Sequence, residues 1–258
     1  MILKLLQGAF IGIALVLPGL SAGTVILILG FYRRLLDDLA ALQLRPYLPM
    51  LVGVLAGALA TVYSVSYLLD RHNPVIMAVL MGMLLASVPV VINYRRGSNR
   101  FKPWMLITGA AGFFISWFII CEPANTFTVL PPGGLFHFFL GGTLASATML
   151  LPGVSGSSVL IIMNLYDDVI YAISKWQWLK LLFLAGGFIV GLFGLARLLS
   201  ALYRRYQTAI SFLLAGLVLG STRTLLPAQF NLTFFLAAAA GAVLVLYITR
   251  KRNHFGPD

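Results

Sequence analysis

Two short stretches combine a proline, a glycine and a run of hydroxyls: Pro18-Gly19-Leu20-Ser21-Ala22-Gly23-Thr24 and Pro152-Gly153-Val154-Ser155-Gly156-Ser157-Ser158. Proline ends an incoming helix, glycine permits a sharp turn, and Ser or Thr caps the helix that leaves. The leaving helix begins with amides that have no partner inside it. Its partial positive charge, roughly half an electron, favours an anion and above all a phosphate. Ser21, Ala22, Gly23 and Thr24, with Ser155, Gly156, Ser157 and Ser158, are therefore candidate phosphate-binding residues, and Pro18, Gly19, Pro152 and Gly153 form the turns. Hydroxyls also bond back to their own helix, so some of these are caps alone.

Other polar groups are few. Arg197 is the one cation well inside an apolar run, Gly194-Leu195-Ala196-Arg197-Leu198-Leu199. Its guanidinium suits bidentate phosphate contact, and snorkelling to the surface beside Arg204 and Arg205 is the alternative. Arg223 and Arg71 stand at helix ends, where they cap the helix or attract an anionic headgroup. Glu122 and Asp168 are the candidate coupling acids, against the ordinary reading of solvated loop carboxylates. His72, His137 and His254 lack metal-ligand spacing, and neither His-Glu-x-x-His nor Gly-x-x-x-x-Gly-Lys occurs. No cofactor or metal is expected, ATP-driven pumping by this chain alone is excluded, and no histidine lies near the Ser-containing turns to serve as a base for hydrolysis.

Most of the chain must sit in a bilayer. It has 258 residues, 60% hydrophobic and only 10% charged, too few polar groups to cover a water-soluble surface. The net charge of +11 is dispersed in short clusters between apolar runs. That marks cytoplasmic loops of a membrane protein rather than a nucleic-acid face. Cys121 is the only cysteine, so no intrachain disulfide forms. Met1 to Leu17 is apolar, but no A-x-A-like cleavage site follows, so it is expected to remain in the mature protein.

Crossing a bilayer takes about 20 apolar residues. Six runs read as spanning helices, over 48–69, 74–92, 104–120, 179–202, 208–223 and 232–249. Two more, 2–31 and 135–165, contain the Pro-Gly turns. Adding 134 to positions in the first half lands on equivalents in the second: Gly8 on Gly142, Pro18 on Pro152, Ser21 on Ser155, Tyr32 on Tyr166, Gly53 and Gly57 on Gly187 and Gly191, and Ser87 on Ser221. The chain is thus read as two copies of one unit, 1–130 and 131–258, each a broken segment followed by three helices. The glycines at 53, 57, 187 and 191 are expected to seat helices against the broken segments.

Loop charges decide whether the broken segments cross or turn back. If both turn back, thirteen Lys and Arg fall on one side and four on the other, with Arg197 inside a helix; if both cross, the split is seven against ten. The asymmetry favours turning back. One isolated Pro-Gly-x-Ser could be a mere kink, whereas two matched copies with this charge split are read as hairpins. The expected fold is an all-α integral membrane protein of two inverted-topology repeats, each a re-entrant helical hairpin followed by three transmembrane helices, with both termini cytoplasmic.

Val16-Leu17-Pro18-Gly19-Leu20-Ser21-Ala22-Gly23-Thr24 with Gly30-Phe31-Tyr32, and Leu150-Leu151-Pro152-Gly153-Val154-Ser155-Gly156-Ser157 with Tyr166, resemble the paired signatures of the bacterial polyprenyl-phosphate transporter family of the PopT type. Ala22 stands where glycine is usual there, and Arg33 where an acidic residue is expected. The resemblance implies translocation of undecaprenyl phosphate from the outer to the inner leaflet of the bacterial cytoplasmic (inner) membrane, with membrane lipid as surroundings, no nucleic acid and no enzymatic step. A small-anion channel or exchanger and a lipid phosphatase are the competitors. A homo-oligomer and proton or sodium coupling stay open. Labelling from outside the cell is expected to place Tyr32 and Tyr166 on opposite sides of the membrane; finding both on one side would contradict inversion.

Overall fold

A computed structural model describes residues 2–16, 21–93, 104–120, 134–227 and 230–254, with the side chains of 16, 62–73, 93, 119–120 and 251–254 left aside. Pro18, Gly19 and Glu122 lie outside the described residues, as does the side chain of Arg71. The described chain is all helical. In order it forms α1 (Ile2–Val16), α2 (Ala22–Leu29), α3 (Tyr32–Ala40), a 3-10 turn (Arg45–Tyr47), α4 (Leu48–Asn93) and α5 (Trp104–Phe114), which continues as a π-helix (Ile115–Ile120). The second half repeats this as α6 (Leu135–Leu150), α7 (Gly156–Ile162), α8 (Tyr166–Ser174), α9 (Trp178–Ser221) with a 3-10 turn (Thr222–Leu225), and α10 (Leu232–His254).

The duplication reaches the backbone. Shifted by 134, α2 begins where α7 begins and α3 has the bounds of α8. Positive φ recurs at the same offset, Gly30 (84°) with Asn164 (53°) and Leu42 (59°) with Trp176 (51°). Gly30 supplies a left-handed C-cap, which glycine adopts without cost and asparagine tolerates better than most. In the second unit Leu151 is extended, as the residue before a proline must be, and this ends α6 at Leu150.

Glycines set the packing. A Cβ on Gly8 would strike the Met50 carbonyl, and one on Gly53 the Leu5 carbonyl. Their mirror positions, Gly142 and Gly187, face Leu184 and Phe139. Gly57 against Ala9 is matched by Gly191 against Thr143. The expected seating of helices on the broken segments is therefore present, α4 on α1 and α9 on α6. Residues 5 and 9 face 53 and 57, and 139 and 143 face 187 and 191, so each pair runs in one direction. The chain between α1 and α4, and between α6 and α9, must carry it back to the end from which it started. Consistent with such a return, α7 and α8 meet at a bend of 104°.

The last helix of each unit is exchanged. α5 packs on α9 and α10 on α4: Gly216 meets Gly109 and Gly112 meets Leu213, while Gly82 meets Ala238 and Gly241 meets Val79. The α4 and α9 residues of the two interfaces stand 134 apart (82 and 216, 79 and 213), so the two pairings resemble each other and each joins one half of the chain to the other. Gly109 lies against Phe212, and Phe113 against Gly216 and Gly220, so α5 runs alongside the second half of α9 in the same direction.

Where the spacing separates helices over 48–69 and 74–92, the backbone is one helical run, α4, with Pro74 and Pro89 inside it. In the second unit the separation is visible, because Tyr206 leaves helical geometry (φ −130°, ψ 42°) between 179–202 and 208–223. The Tyr203 hydroxyl lies 3.4 Å from that of Ser211, eight residues on. A straight helix advances about 12 Å over eight residues, so the chain bends there. Among the described residues Pro74–Ile92, Trp178–Leu225 and Leu232–Arg250 are long and apolar enough to cross a membrane, with Ile2–Leu15, Arg45–Thr61, Trp104–Phe118 and Leu135–Leu150 as shorter apolar helices. This is a multi-helix membrane protein.

Gly142→Val and Gly8→Val force backbones apart at mirrored seams. Each is expected to cost about 1–3 kcal/mol, read as a lower Tm in detergent, whereas Gly194→Ala, with open space at its Cβ, leaves Tm unchanged.

Candidate functional site

The two turns touch. Ser21 is the N-cap of α2, extended at φ −99° and ψ 147°, and its Oγ accepts from the Thr24 amide at 3.2 Å. The Ser21 and Thr24 hydroxyls lie 3.1 Å apart, and both accept from the amide of Gly153, at 2.9 Å and 3.1 Å. The Ser21 hydroxyl also reaches the Leu151 carbonyl at 3.5 Å. The Tyr32 phenol, at the start of α3, donates to the Leu150 carbonyl at 2.7 Å. Hydroxyls of the first unit thus hold the backbone of the second unit's break, where α6 has run out of its own partners. Ser21, Thr24 and Tyr32 are all buried.

Backbone proximity requires glycine on both sides. A Cβ at Gly23 would lie 3.1 Å from the Leu150 carbonyl oxygen and the Pro152 nitrogen. Gly153 (φ 81°) sits against the Leu217 carbonyl and the Ser221 hydroxyl, at the end of α9. The second break is therefore wedged between α2 and the last turn of α9.

The second turn is open where the first is closed. Ser155 is the N-cap position of α7, but its side chain makes no capping bond; it pairs with Ser157 at 2.7 Å, and both are exposed. The leading amides of α7 have no intrahelical partner. Gly156 is buried against Ala145, and Ser158 is partly buried. Ala22 is partly buried at the start of α2.

Arg223 lies two residues after Ser221, on the 3-10 turn, and so stands near the second break. Its Nη1 donates to the Trp117 carbonyl at 2.5 Å and its guanidinium lies over the Trp117 ring at 5.6 Å. Arg197 is placed elsewhere: its Nε donates to the Ala40 carbonyl at 3.2 Å, at the end of α3, and the side chain is exposed. Asp168 lies partly buried in the first turn of α8, where the helix dipole favours a carboxylate.

Two carboxylates that sequence reasoning passed over lie on α3, the helix whose last carbonyl Arg197 contacts. Asp37 accepts from the Ser200 hydroxyl at 2.5 Å and lies 3.8 Å from Arg33, and Asp38 accepts from the Tyr47 phenol at 2.7 Å. The signal was present in Tyr32-Arg33-Arg34-Leu35-Leu36-Asp37-Asp38, an amphipathic segment with opposite charges four apart.

Paired broken helices meeting at the junction of two copies of one unit are a plan of membrane transporters. The sequence matches the family described as VCA0040-like, undecaprenyl phosphate translocase-like, over residues 1–102 and 47–243. The chain belongs to that family. It is 28% identical over 244 residues to the polyprenyl-phosphate transporter of Vibrio cholerae serotype O1, covering 86% of this chain and 76% of the relative. It is 26% identical over 243 residues to the polyprenyl-phosphate transporter of Staphylococcus aureus, covering 87% and 86%. Both relatives are named as transporters, in line with a non-catalytic role. No solved structure matches the chain.

Ser21→Ala removes a cap together with an acceptor for the Gly153 amide and is expected to lower stability by about 1–2 kcal/mol. Ser155→Ala, which loses no capping bond, leaves stability within about 0.5 kcal/mol. Thermal unfolding in detergent of the two variants side by side checks the difference.

Proposed function

We propose that this protein moves undecaprenyl phosphate from the outer to the inner leaflet of the bacterial cytoplasmic membrane, returning the lipid carrier for cell-envelope synthesis. The carrying observation is the meeting of the two turns, Ser21 and Thr24 on Gly153. The names of the two relatives point to the same lipid class.

The reading takes α1–α2 and α6–α7 as re-entrant hairpins entering from opposite faces, with cytoplasmic termini. Its supports are the shared direction of α1 with α4 and of α6 with α9, the shared direction of α5 with the second half of α9, and the charge asymmetry of the loops. A phosphate on a long isoprenoid tail needs a polar path for its head while the tail stays in lipid. Broken backbone inside the hydrocarbon supplies such a path, since unpaired amides there lack water and an anion satisfies them.

In the present arrangement the first turn's hydroxyls are engaged with the second break, so Ser155, Gly156, Ser157 and Ser158 receive the phosphate first. Arg223, near the same break, adds positive charge. Arg197 is tied to the α3 carbonyl end and takes the lesser part. Rocking of the units about the contact would then present the head to the other side, where Ser21, Ala22, Gly23 and Thr24 take it up.

Reconstituted protein is expected to exchange a short-chain polyprenyl phosphate between leaflets with its phosphate retained. Anion flux without lipid movement would favour a channel, and release of inorganic phosphate a phosphatase. Ser155→Leu, at an exposed position, should abolish exchange without loss of expression, and Ser21→Leu should abolish it with some loss of stability; normal exchange in both variants removes the turns from the mechanism. Repeating the assay under an imposed pH gradient reads proton coupling directly.

A further inference from the structure

The two units match in sequence and backbone but not in what they bury. At mirrored positions Tyr32 is 1% exposed and Tyr166 40%, Leu36 0% and Ile170 51%, Leu27 1% and Ile161 42%. The helices α2 and α3 belong to the main core, whereas α7 and α8 lie on the outside, with Leu165, Val169 and Ala172 in a small separate cluster around Phe138.

One contact stands at the centre of this difference. Tyr32 donates to the Leu150 carbonyl, in the last turn of α6, while its ring packs on Tyr203 at 6.2 Å between centroids. A carbonyl in the last turn has no acceptor role within its helix, so within hydrocarbon it needs a donor from elsewhere. The residue mirroring Leu150 is Val16, the last of α1, and the residue mirroring Tyr32 is Tyr166. The second unit therefore carries the same phenol at the same distance along the chain from its own turn, and the first unit carries the same needy carbonyl.

We propose that Tyr32 and Tyr166 are positioning residues that act alternately. In the arrangement seen, Tyr32 holds the end of α6 through the Leu150 carbonyl, α2 and α3 are packed inside, and the second turn is open. In the exchanged arrangement Tyr166 holds the end of α1 through the Val16 carbonyl, α7 and α8 pack inside, and the first turn opens. Because one phenol is engaged at a time, the turn that accepts the headgroup is set by which tyrosine is bonded. This deepens the transport reading and rests on it for what the exchange accomplishes, but the latch itself is a property of the protein without substrate.

Hydrogen–deuterium exchange of the full chain in lipid nanodiscs tests the latch. Tyr32→Phe keeps the ring against Tyr203 and removes only the hydroxyl. Loss of one buried hydrogen bond is expected to shift the ratio of the two arrangements about fivefold, raising uptake over 22–40 and lowering it over 156–174. Uptake that rises in both segments, or changes in neither, overturns the proposal. Tyr166 is exposed, so Tyr166→Phe tests the other half without disturbing a packed core: it removes the latch of the exchanged arrangement, so uptake should move the opposite way, down over 22–40 and up over 156–174, and leaflet exchange of polyprenyl phosphate should fall severalfold. Unchanged leaflet exchange in Tyr166→Phe also overturns the latch. Opposite uptake shifts in Tyr32→Phe, in a protein that moves no lipid at all, would uphold the latch and contradict the transport function.

Discussion

Backbone amides and carbonyls cannot go unpaired in hydrocarbon without costing several kcal/mol each. A helix that stops short therefore has to find partners outside itself, and in this chain the end of α6 finds them on α2 and α3. Leu150, Leu151 and Gly153, left over where α6 stops, are met by the hydroxyls of Tyr32, Ser21 and Thr24. The rest of the described architecture serves that encounter. Glycine at 23 lets α2 approach the end of α6, and glycine at 153 lets the end of α9 close behind the second break.

The same constraint explains why the units are interlocked. The α1–α4 and α6–α9 seams are local to each unit and rigid, since their glycines leave no room between backbones. The exchanged helices α5 and α10 tie each unit to the other. Against that framework the burial of the corresponding helices is unequal: α2 and α3 join the main core, whereas α7 and α8 lie on the outside.

Much of this was legible in the sequence, because its strongest signals are positional. Pro-Gly-x-Ser at 18 and 152 marks breaks by removing a donor and admitting a turn, and the constant offset gives the duplication before any contact is known. The seam glycines were legible for the same reason, since a small residue every four positions can only face a neighbour. Three features were not. That Ser21 and Thr24 bond the other turn, while Ser155 and Ser157 stay exposed, is settled by tertiary packing, which two similar motifs do not announce. Arg197 reads equally as a phosphate ligand or a snorkelling cation, and its contact with the Ala40 carbonyl is one that only tertiary packing reveals. The runs 48–69 and 74–92 read as two helices, yet the backbone is one helical run through Pro74.

The central claim is that the paired turns hold the phosphate of a lipid. A structure determined in nanodiscs with a short-chain polyprenyl phosphate tests it most directly. The account predicts density for the phosphate against Ser155, Gly156 and Ser157, with the tail leaving sideways into lipid. Phosphate density at the Arg197–Ala40 end of α3, with both turns unoccupied, would contradict it.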